Sequence, residues 1–332
     1  MKVGLIDVDG KGFPNLALMK IAAYHKKRGD HVEWCMGLDT YDKVYQAKVF
    51  DDTYTEDIDW LPQAGEIAKG GTGYFRRKKD GKKTYCEVYH CGEWLNVGQL
   101  SAVKFGNETY SEFLPPEIEH IYPDYSIYKK LTHRTAYGFL TRGCPRNCGF
   151  CIVGSKEGVK SVKVADLKEF WKGQKNIELL DPNILACREH MDLLGQLAKS
   201  GAYVNFNQGL DIRMTTPENI EAINKIKLKQ IHFAWDNPKD KLEKRFEEYA
   251  ARATRKPHGH FASVYVLTNF NTTMDENLHR VYTLRDLGFD PYIMIYDKPN
   301  APREIRLLQR WVNNKFVFRS CERFEDYDPK RA

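Results

Sequence analysis

Short apolar runs alternate with longer amphipathic stretches through the second half of the chain. Such runs predict buried β-strands, and apolar residues recurring every three or four positions predict helices packed on one face. The predicted strands are TAYGFLTRG, NIELLD, the start of AYVNFNQGLDIR, QIHFAWD, FASVYVLTNF and DPYIMIYD. The predicted helices are VADLKEFWKGQ, CREHMDLLGQLAKSG, TPENIEAINKIK, DKLEKRFEEYAARAT, MDENLHRVYTLRDLG and APREIRLLQRWVNN. Six successive strand–helix units predict a parallel (β/α)6 partial TIM barrel over residues 131–320.

A shorter α/β pattern occupies the first 73 residues. MKVGLIDVD predicts a strand, NLALMKIAAYHKKRGD a helix, and HVEWC, KVYQAKVF and EIAKGG three further strands. Strands and a helix joined by short connections predict a Rossmann-like, doubly wound domain over residues 1–73. The fold class predicted for the whole chain is therefore α/β.

Residues 74–112 break this rhythm. DGKK between two alternating segments predicts a hairpin, so we expect a small β-rich insertion here. Cys86 and Cys91, with His90 and one more ligand, are a candidate zinc site. The basic run Arg76, Arg77, Lys78, Lys79, Lys82 and Lys83 is either a nucleic-acid contact or a solvated hairpin.

Two segments complete the predicted organisation. LPPEIEHIYPDYSIY is rich in proline and tyrosine and predicts an ordered linker at 113–130. KFVFRS predicts a last strand, and residues 321–332 form a C-terminal tail.

The composition narrows the classes of protein. The 332 residues are 42% hydrophobic, which suffices for a substantial core, and the formal charge is +6. That small excess suits a soluble enzyme as well as a nucleic-acid binder. No apolar run reaches the roughly 20 residues that span a bilayer, and the N-terminus does not resemble a secretory signal. We therefore expect a cytoplasmic protein without membrane contact, whose thiols are reduced.

The segment TRGCPRNCGFC holds three of the eight cysteines, Cys144, Cys148 and Cys151, in the spacing C-x3-C-x2-C. Thiolates are ligands for iron–sulfur clusters and zinc. A structural zinc site closes with four protein ligands, whereas a cubane cluster on three cysteines leaves one iron open. The alternative is a zinc loop with a fourth ligand from elsewhere, of which Cys187 is the first candidate; Cys187 is otherwise a buried apolar residue.

This segment resembles the signature of the radical S-adenosylmethionine enzymes. Their three cysteines lie in the loop after the first strand of a (β/α)6 partial barrel, with an aromatic residue before the third cysteine. Phe150 occupies that position, and Gly143, Asn147 and Gly149 suit a loop wrapped closely around a cluster. The resemblance covers about residues 130–318.

The resemblance implies a cofactor set and a reaction class. A 4Fe–4S cluster on Cys144, Cys148 and Cys151 would bind S-adenosylmethionine through its open iron. One electron from the reduced cluster would cleave that cofactor and release a 5′-deoxyadenosyl radical, which takes a hydrogen atom from a substrate. The expected partners are a reductant such as flavodoxin or ferredoxin and a substrate that the sequence does not identify.

Polar residues at the predicted strand ends are candidates for holding S-adenosylmethionine. The family usually has a Gly-Gly-Glu-like segment after the second strand; here LLDPN offers Asp181 and Asn183 instead, with a turn cap as the alternative role of Asp181. Gln208, Asp211 and Arg213 follow the third strand, and an Asp211–Arg213 structural pair is the alternative there. Polar residues closing five successive strands predict a pocket at that mouth.

The N-terminal domain resembles the cobalamin-binding domains of one branch of that family. Members that bind cobalamin through histidine use D-x-H-x-x-G, but DVDGKG has Asp9 in the histidine position, and aspartate does not replace that cobalt ligand. Other members bind cobalamin without the histidine, so cobalamin stays a secondary expectation. GGTGY at 70–74 either lets the backbone approach a ligand or forms a tight turn.

The leading hypothesis is a radical S-adenosylmethionine enzyme with a cobalamin-binding-like domain. The alternative is a non-catalytic iron–sulfur or zinc protein that binds nucleic acid through residues 76–83. Catalytic residues other than the cluster ligands are not identifiable from the sequence.

Overall fold

The computed structural model describes residues 1–10, 12–51, 54–60, 62–80 and 83–330. The chain divides into two compact units, Met1–Ala136 and Tyr137–Ala332. Each unit contains a largely parallel β-sheet with helices, so the predicted α/β class is confirmed. The break between the units falls near the predicted start of the barrel at residue 131.

The elements are numbered along the chain. The strands are β1 (Lys2–Asp7), β2 (His31–Trp34), β3 (Thr40–Ala47), β4 (Gln63–Gly70), β5 (Phe75–Asp80), β6 (Lys83–His90), β7 (Glu93–Gly98), β8 (Ala102–Phe105), β9 (Glu108–Ser111), β10 (Thr135–Gly138), β11 (Thr141–Arg142), β12 (Val162–Lys163), β13 (Asn176–Leu179), β14 (Tyr203–Phe206), β15 (Leu228–Ala234), β16 (Ala262–Thr268) and β17 (Asp290–Ile295). The helices are α1 (Leu16–Lys27), α2 (Pro116–Glu119), α3 (Lys129–Thr132), α4 (Val153–Lys156), α5 (His190–Ser200), α6 (Pro217–Asn224), α7 (Glu243–Arg252), α8 (Met274–Asp286), α9 (Arg303–Asn313) and α10 (Lys315–Ser320).

The sheet of the first unit has the strand order β2-β1-β3-β4-β9-β8. Its pairings are parallel from β2 to β9, and only β8 runs antiparallel to its neighbour. Helix α1 connects β1 to β2; the Asn15 side chain caps it by accepting from the Leu18 amide, and Leu18, Ile21 and Ala22 pack on Val3. Among the described residues no helix joins β2 to β3 or β3 to β4. The five-residue connection 35–39 between β2 and β3 is too short to contain a helix. The doubly wound form predicted for this domain needs helices between its strands, so it is not shown.

The insertion divides between two sheets. β5, β6 and β7 form a separate antiparallel sheet, whereas β9 pairs with β4 and so extends the first sheet. β5 and β6 pair antiparallel on either side of DGKK, although its central Gly81 and Lys82 lie outside the described residues. The segment 74–112 is therefore β-rich, as predicted, and part of it belongs to the first sheet.

The sheet of the second unit has the order β10-β13-β14-β15-β16-β17. The pairings from β13 to β17 are parallel, and α5 to α9 each follow one of these strands. The predicted strand–helix repeat is confirmed from β13 onward. In the described chain β10 and β17 are not paired with each other, so the sheet is not closed into a barrel.

Two predicted elements of this unit are wrong. VADLKEFWKGQ contains only one short turn of 3-10 helix, Leu167–Glu169, because the backbone leaves the helical conformation at Phe170, whose φ is −133°. KFVFRS is the helix α10, not a strand, because the Asn314 side chain accepts from the Phe316 and Val317 amides and starts a helix.

No helix in the part of the chain that the structure describes has both the length and the apolar character needed to cross a membrane.

Candidate functional site at the carboxyl end of the second sheet

The three cysteines lie in one loop after the first strand of the second sheet. β11 and β12 pair antiparallel, Arg142 opposite Val162, and so close the base of the segment 143–161, called here the cysteine loop. The Cys144 amide donates to the Gly158 carbonyl at 3.1 Å, which folds the loop back on itself. Because the other strands run parallel, the loops that follow them lie at this same carboxyl end of the sheet.

Gly143 and Asn147 of the cysteine loop have a left-handed backbone conformation that most residues do not adopt. Gly143 has φ 83°, and a Cβ there would lie 2.1 Å from the Lys160 carbonyl oxygen. Asn147 has φ 44°, a conformation that asparagine tolerates better than most residues. Gly149 differs, because a Cβ there would only touch the Phe270 ring at 3.6 Å. Gly143 and Asn147 therefore hold the tight turns, and Gly149 is not required for them.

The thiols of Cys148 and Cys151 lie in an environment that disfavours their free anionic form. Burial raises the pKa of Cys148, and the Asp236 carboxylate and the neighbouring cysteines raise it further. Burial also raises the pKa of Cys151, with Cys144 and Asp236 adding to the rise. A bound cation reverses such shifts by stabilising thiolates.

Within the described residues, no three His, Cys, Asp or Glu side chains gather closely enough to hold a single metal ion. Cys187 is buried and its thiol lies 3.2 Å from Glu189 Oε2. Neither zinc alternative, Cys187 with the loop cysteines or Cys86 with His90 and Cys91, is brought together as such a group. In an iron–sulfur cluster each thiolate binds a different iron atom, so the thiolates need not converge on one point as the ligands of a single metal ion do.

Asp181 fixes the segment that leads into the cysteine loop. Its carboxylate accepts from the amides of Leu140 at 3.1 Å and Thr141 at 2.5 Å, and from the Thr141 hydroxyl at 2.7 Å. Burial raises its pKa to about 6. These bonds correspond to the capping role that the sequence left open, and they join the carboxyl end of β13 to that of β10.

Asn183 lies between a cysteine and the candidate carboxylate Asp211. Its Nδ2 is 3.7 Å from Cys144 Sγ and 3.4 Å from Asp211 Oδ2. Its Oδ1 is buried and has no hydrogen-bond partner. A buried polar atom without a partner costs stability, which is typical of a position that a ligand completes.

Asp211 and Arg213 form the predicted pair, and the cysteine loop joins it. Arg213 donates to Asp211 Oδ1 at 2.6 Å and, through Nη1, to Asp240 Oδ2 at 2.6 Å. Arg146, between the first two cysteines, lies 3.9 Å from Asp211 and 3.7 Å from Asp240. The structure thus brings together Asn183, Asp211 and Arg213 with the loop.

Gln208 is not part of this network. Its side chain is exposed, whereas Asn205 and Phe206 are buried and Asn207 is half-buried. Asn205 donates to Glu178 at 2.6 Å and also contacts Asn207. Asn205 Oδ1, like Asn183 Oδ1, is buried without a partner.

Two residues of the site escaped the sequence reasoning about cofactor contacts. Asp236 lies two residues after the end of β15, and burial raises its pKa to about 6 despite the charge of Arg280. Arg280 is fully buried in α8 and donates to the carbonyls of Trp235, Asp236 and Leu267. The position of Asp236 at a strand end was a usable signal, whereas nothing in the helix MDENLHRVYTLRD marks Arg280 as buried.

Aromatic rings line the outer part of the cysteine loop. The Phe150 ring makes an edge contact with Phe270, at 5.5 Å between centroids, and Phe270 makes another with Tyr296 at 4.8 Å. Phe270 and Tyr296 follow β16 and β17. The aromatic residue before the third cysteine therefore packs the loop against the last two strand ends.

Candidate positions in the first unit have structural roles. Asp9 accepts from the amides of Val49 and Phe50, so it ties the turn after β1 to the turn after β3. A Cβ on Gly71 or Gly73 would collide with the carbonyl oxygens of Lys48 or Phe50. The GGTGY segment is thus a tight turn against β3.

The basic insertion is partly neutralised. Arg76 forms an ion pair with Glu87. Arg77 forms a bidentate ion pair with Glu112, in which Nη2 donates to Oε2 at 2.7 Å. Lys82 lies outside the described residues.

No family model matches this chain, and no curated protein matches it either.

Proposed function

We propose that the second unit is a radical S-adenosylmethionine enzyme that holds a 4Fe–4S cluster on Cys144, Cys148 and Cys151. The observation that carries the proposal is that polar contacts join the cysteine loop, and the segment leading into it, to the ends of two neighbouring strands, β13 and β14. Asp181, Asn183 and the pair Asp211–Arg213 make those contacts. A zinc loop with a structural role has no need of a polar mouth.

The donor atoms fit the implied group. Three thiols supply soft ligands, and Gly143 lets the backbone turn tightly beside Cys144. Asn183 Oδ1 is an unsatisfied acceptor on a side chain whose Nδ2 lies 3.7 Å from Cys144 Sγ, and such an acceptor suits the amino group of S-adenosylmethionine. When bound, the reduced cluster would supply the electron that cleaves the carbon–sulfur bond of the cofactor.

The protein's own residues position the reactants. Asp181 holds the start of the cysteine loop, and Arg213 holds Asp211 toward Asn183. The Phe150–Phe270–Tyr296 contacts hold Phe150, the residue before Cys151, against the segments that follow β16 and β17. Gln208 is exposed and stays a candidate only for a contact that forms when the cofactor binds.

The finer expectations belong to the same proposal. In this proposal the parallel sheet of the second unit is a partial barrel, and the enzyme acts in the cytoplasm on a substrate that is not identified. Flavodoxin or ferredoxin supplies the electrons. Cobalamin in the first unit has little support, because Asp9 and the GGTGY turn are engaged by the backbone of 48–50. No observation favours nucleic-acid binding through 76–83 over this function.

The test is anaerobic cleavage of the cofactor. The full chain is reconstituted with iron and sulfide, reduced with dithionite and given S-adenosylmethionine, and 5′-deoxyadenosine is measured by mass spectrometry. We expect product from the wild-type chain and none from Cys144→Ala. Cys321→Ala is the matched control, because Cys321 lies outside the site with its thiol 3.1 Å from the Arg323 carbonyl.

Two results would contradict the proposal. One is cleavage retained in Cys144→Ala. The other is a reconstituted cluster whose electron paramagnetic resonance spectrum is unchanged by S-adenosylmethionine, with no product formed.

A further inference from the structure

Two adjoining segments at the opposite end of the second sheet carry only positive charge. NKIKLKQ enters β15 and RATRKPHGH precedes β16. Neither 222–235 nor 249–274 contains an Asp or Glu. Their Lys and Arg residues, called here the basic end, are Lys225, Lys227, Lys229, Arg252, Arg255 and Lys256.

Direct bonds join the two segments into one surface. Asn224 Nδ2 donates to the Arg252 carbonyl at 3.1 Å, and the Thr254 amide donates back to Asn224 Oδ1 at 2.9 Å. Arg255 Nη1 donates to the Leu228 carbonyl at 3.3 Å. The strands that follow are neighbours, with Ile231 opposite Ala262. The cations therefore lie side by side.

Local structure accounts for only part of this charge. Lys256 caps the end of α7 through the Ala250 and Ala251 carbonyls, which is how a cation commonly serves a helix C-terminus. Lys229 pairs with Glu178 at 2.9 Å. Lys225, Lys227 and Arg255 are exposed, and among the described residues no carboxylate lies within ion-pair distance of them. These cations remain for a partner.

A pocket and aromatic rings accompany the free cations. An open pocket of about 310 Å³ is lined by Lys229, Gln230, Arg255, His258, His260 and Phe261. The Arg255 guanidinium lies 3.6 Å from the Phe261 ring centroid, which limits its freedom and so lowers the entropy that binding would cost. Tyr203 begins the adjacent strand β14 with 45% of its surface exposed, and the Lys175 ammonium lies 5.9 Å from its ring.

We propose that the basic end, with Tyr203, binds the sugar–phosphate backbone and bases of a single-stranded nucleic acid. Free cations spread over two segments suit a row of phosphates better than one small anion. An exposed aromatic ring beside them offers a stacking surface to any base. The proposal goes beyond the radical chemistry and does not depend on the cluster.

The test is equilibrium binding of labelled 20-nucleotide oligo(U) RNA and oligo(dT) DNA to the full chain, followed by fluorescence anisotropy from 50 to 300 mM KCl. The variant Lys225→Gln, Lys227→Gln, Arg255→Gln should bind on the order of tenfold more weakly and reduce the salt slope by about 2. The RNA and DNA arms identify the strand type that the surface prefers.

A charge-matched control uses the other end of the same strand. Lys239→Gln, Lys241→Gln, Lys244→Gln removes three exposed lysines after β15 and should leave affinity within about twofold. Tyr203→Ala should weaken binding about fivefold, and Tyr203→Phe should retain it. Circular dichroism checks that each variant is folded.

Several results would overturn the proposal. They are absence of binding by the wild-type chain at 50 mM KCl, equal losses in the two triple variants, and equal affinity of Tyr203→Ala and wild type. Tighter binding of a duplex than of either single strand would also overturn it, since stacking needs unpaired bases.

Discussion

The two ends of the second sheet are built in opposite ways. At the carboxyl end, Asp181 is buried and hydrogen-bonded to the segment before the cysteine loop, Cys144 and Cys148 are half-buried, and Gly143 has a left-handed backbone that leaves no room for a side chain. At the amino end, Lys225 and Lys227 are exposed on residues with no special geometry. Preorganisation, rather than charge alone, therefore separates the candidate site of chemistry from the candidate docking surface.

Sheet topology itself contributes to this difference. In a parallel α/β sheet the helices begin near the carboxyl ends of the strands and end near the amino ends. Helix dipoles therefore favour anionic groups at the first end and cations at the second. Lys256 serves the end of α7 in this way, because it donates to the Ala250 and Ala251 carbonyls. The positive charges of Lys225, Lys227 and Arg255 are additional to this capping role.

The largest effect that the comparison predicts is at Gly143. In Gly143→Ala the new methyl group would meet the Lys160 carbonyl, and φ near 83° is strained for alanine. We expect a loss of about 3 kcal/mol or more in the free energy of unfolding and loss of cluster incorporation. Urea denaturation and iron content measure the two effects.

A matched variant separates strain from collision. Gly158, in the same loop, has φ 98° but open space around its Cβ position. Gly158→Ala should therefore cost only about 1–2 kcal/mol. Equal losses in the two variants would show that the Lys160 contact does not constrain the cysteine loop.

The sequence predicted the second unit better than the first. The helical period and the Thr216 cap predicted α6 closely, because amphipathic spacing and caps are local signals. Joining β9 to β4 is a long-range pairing, which local spacing does not encode. Likewise, the three cysteines could be recognised from their spacing in the sequence. The burial of Arg280 could not, because it depends on bonds to the carbonyls of Trp235 and Leu267, which are distant in the chain.

The next effect in size is at Asp181. Asp181→Ala leaves the Leu140 and Thr141 amides without their acceptor in a buried place, so we expect a loss of about 2 kcal/mol. Because burial raises the pKa of Asp181 to about 6, the native state binds this proton more tightly than the unfolded chain. Its contribution to stability is complete below pH 3.8 and falls as the pH rises toward 6.

The pH dependence is checked with an uncharged variant. Urea midpoints are measured from pH 3.5 to 7 for the wild type and Asp181→Asn. The wild type should lose stability relative to Asp181→Asn as the pH rises through this range. Parallel curves would mean that Asp181 titrates alike in the folded and unfolded chains.

The smallest predicted effect compares one cation from each end of the sheet. Arg213→Gln removes two charged bonds of 2.6 Å, to Asp211 and Asp240, from a side chain that is 30% exposed. Solvent screening reduces what such pairs contribute, so the expected loss is about 1 kcal/mol. Lys227→Gln removes a charge that pairs with no carboxylate in the described structure and should change stability by less than about 0.5 kcal/mol. If Lys227→Gln destabilised the protein as much as Arg213→Gln, the amino end would be as preorganised as the carboxyl end. If only Arg213→Gln lowers the free energy of unfolding, then of the two ends of the sheet only the carboxyl end, beside the cysteine loop, has a polar network that stabilises the fold.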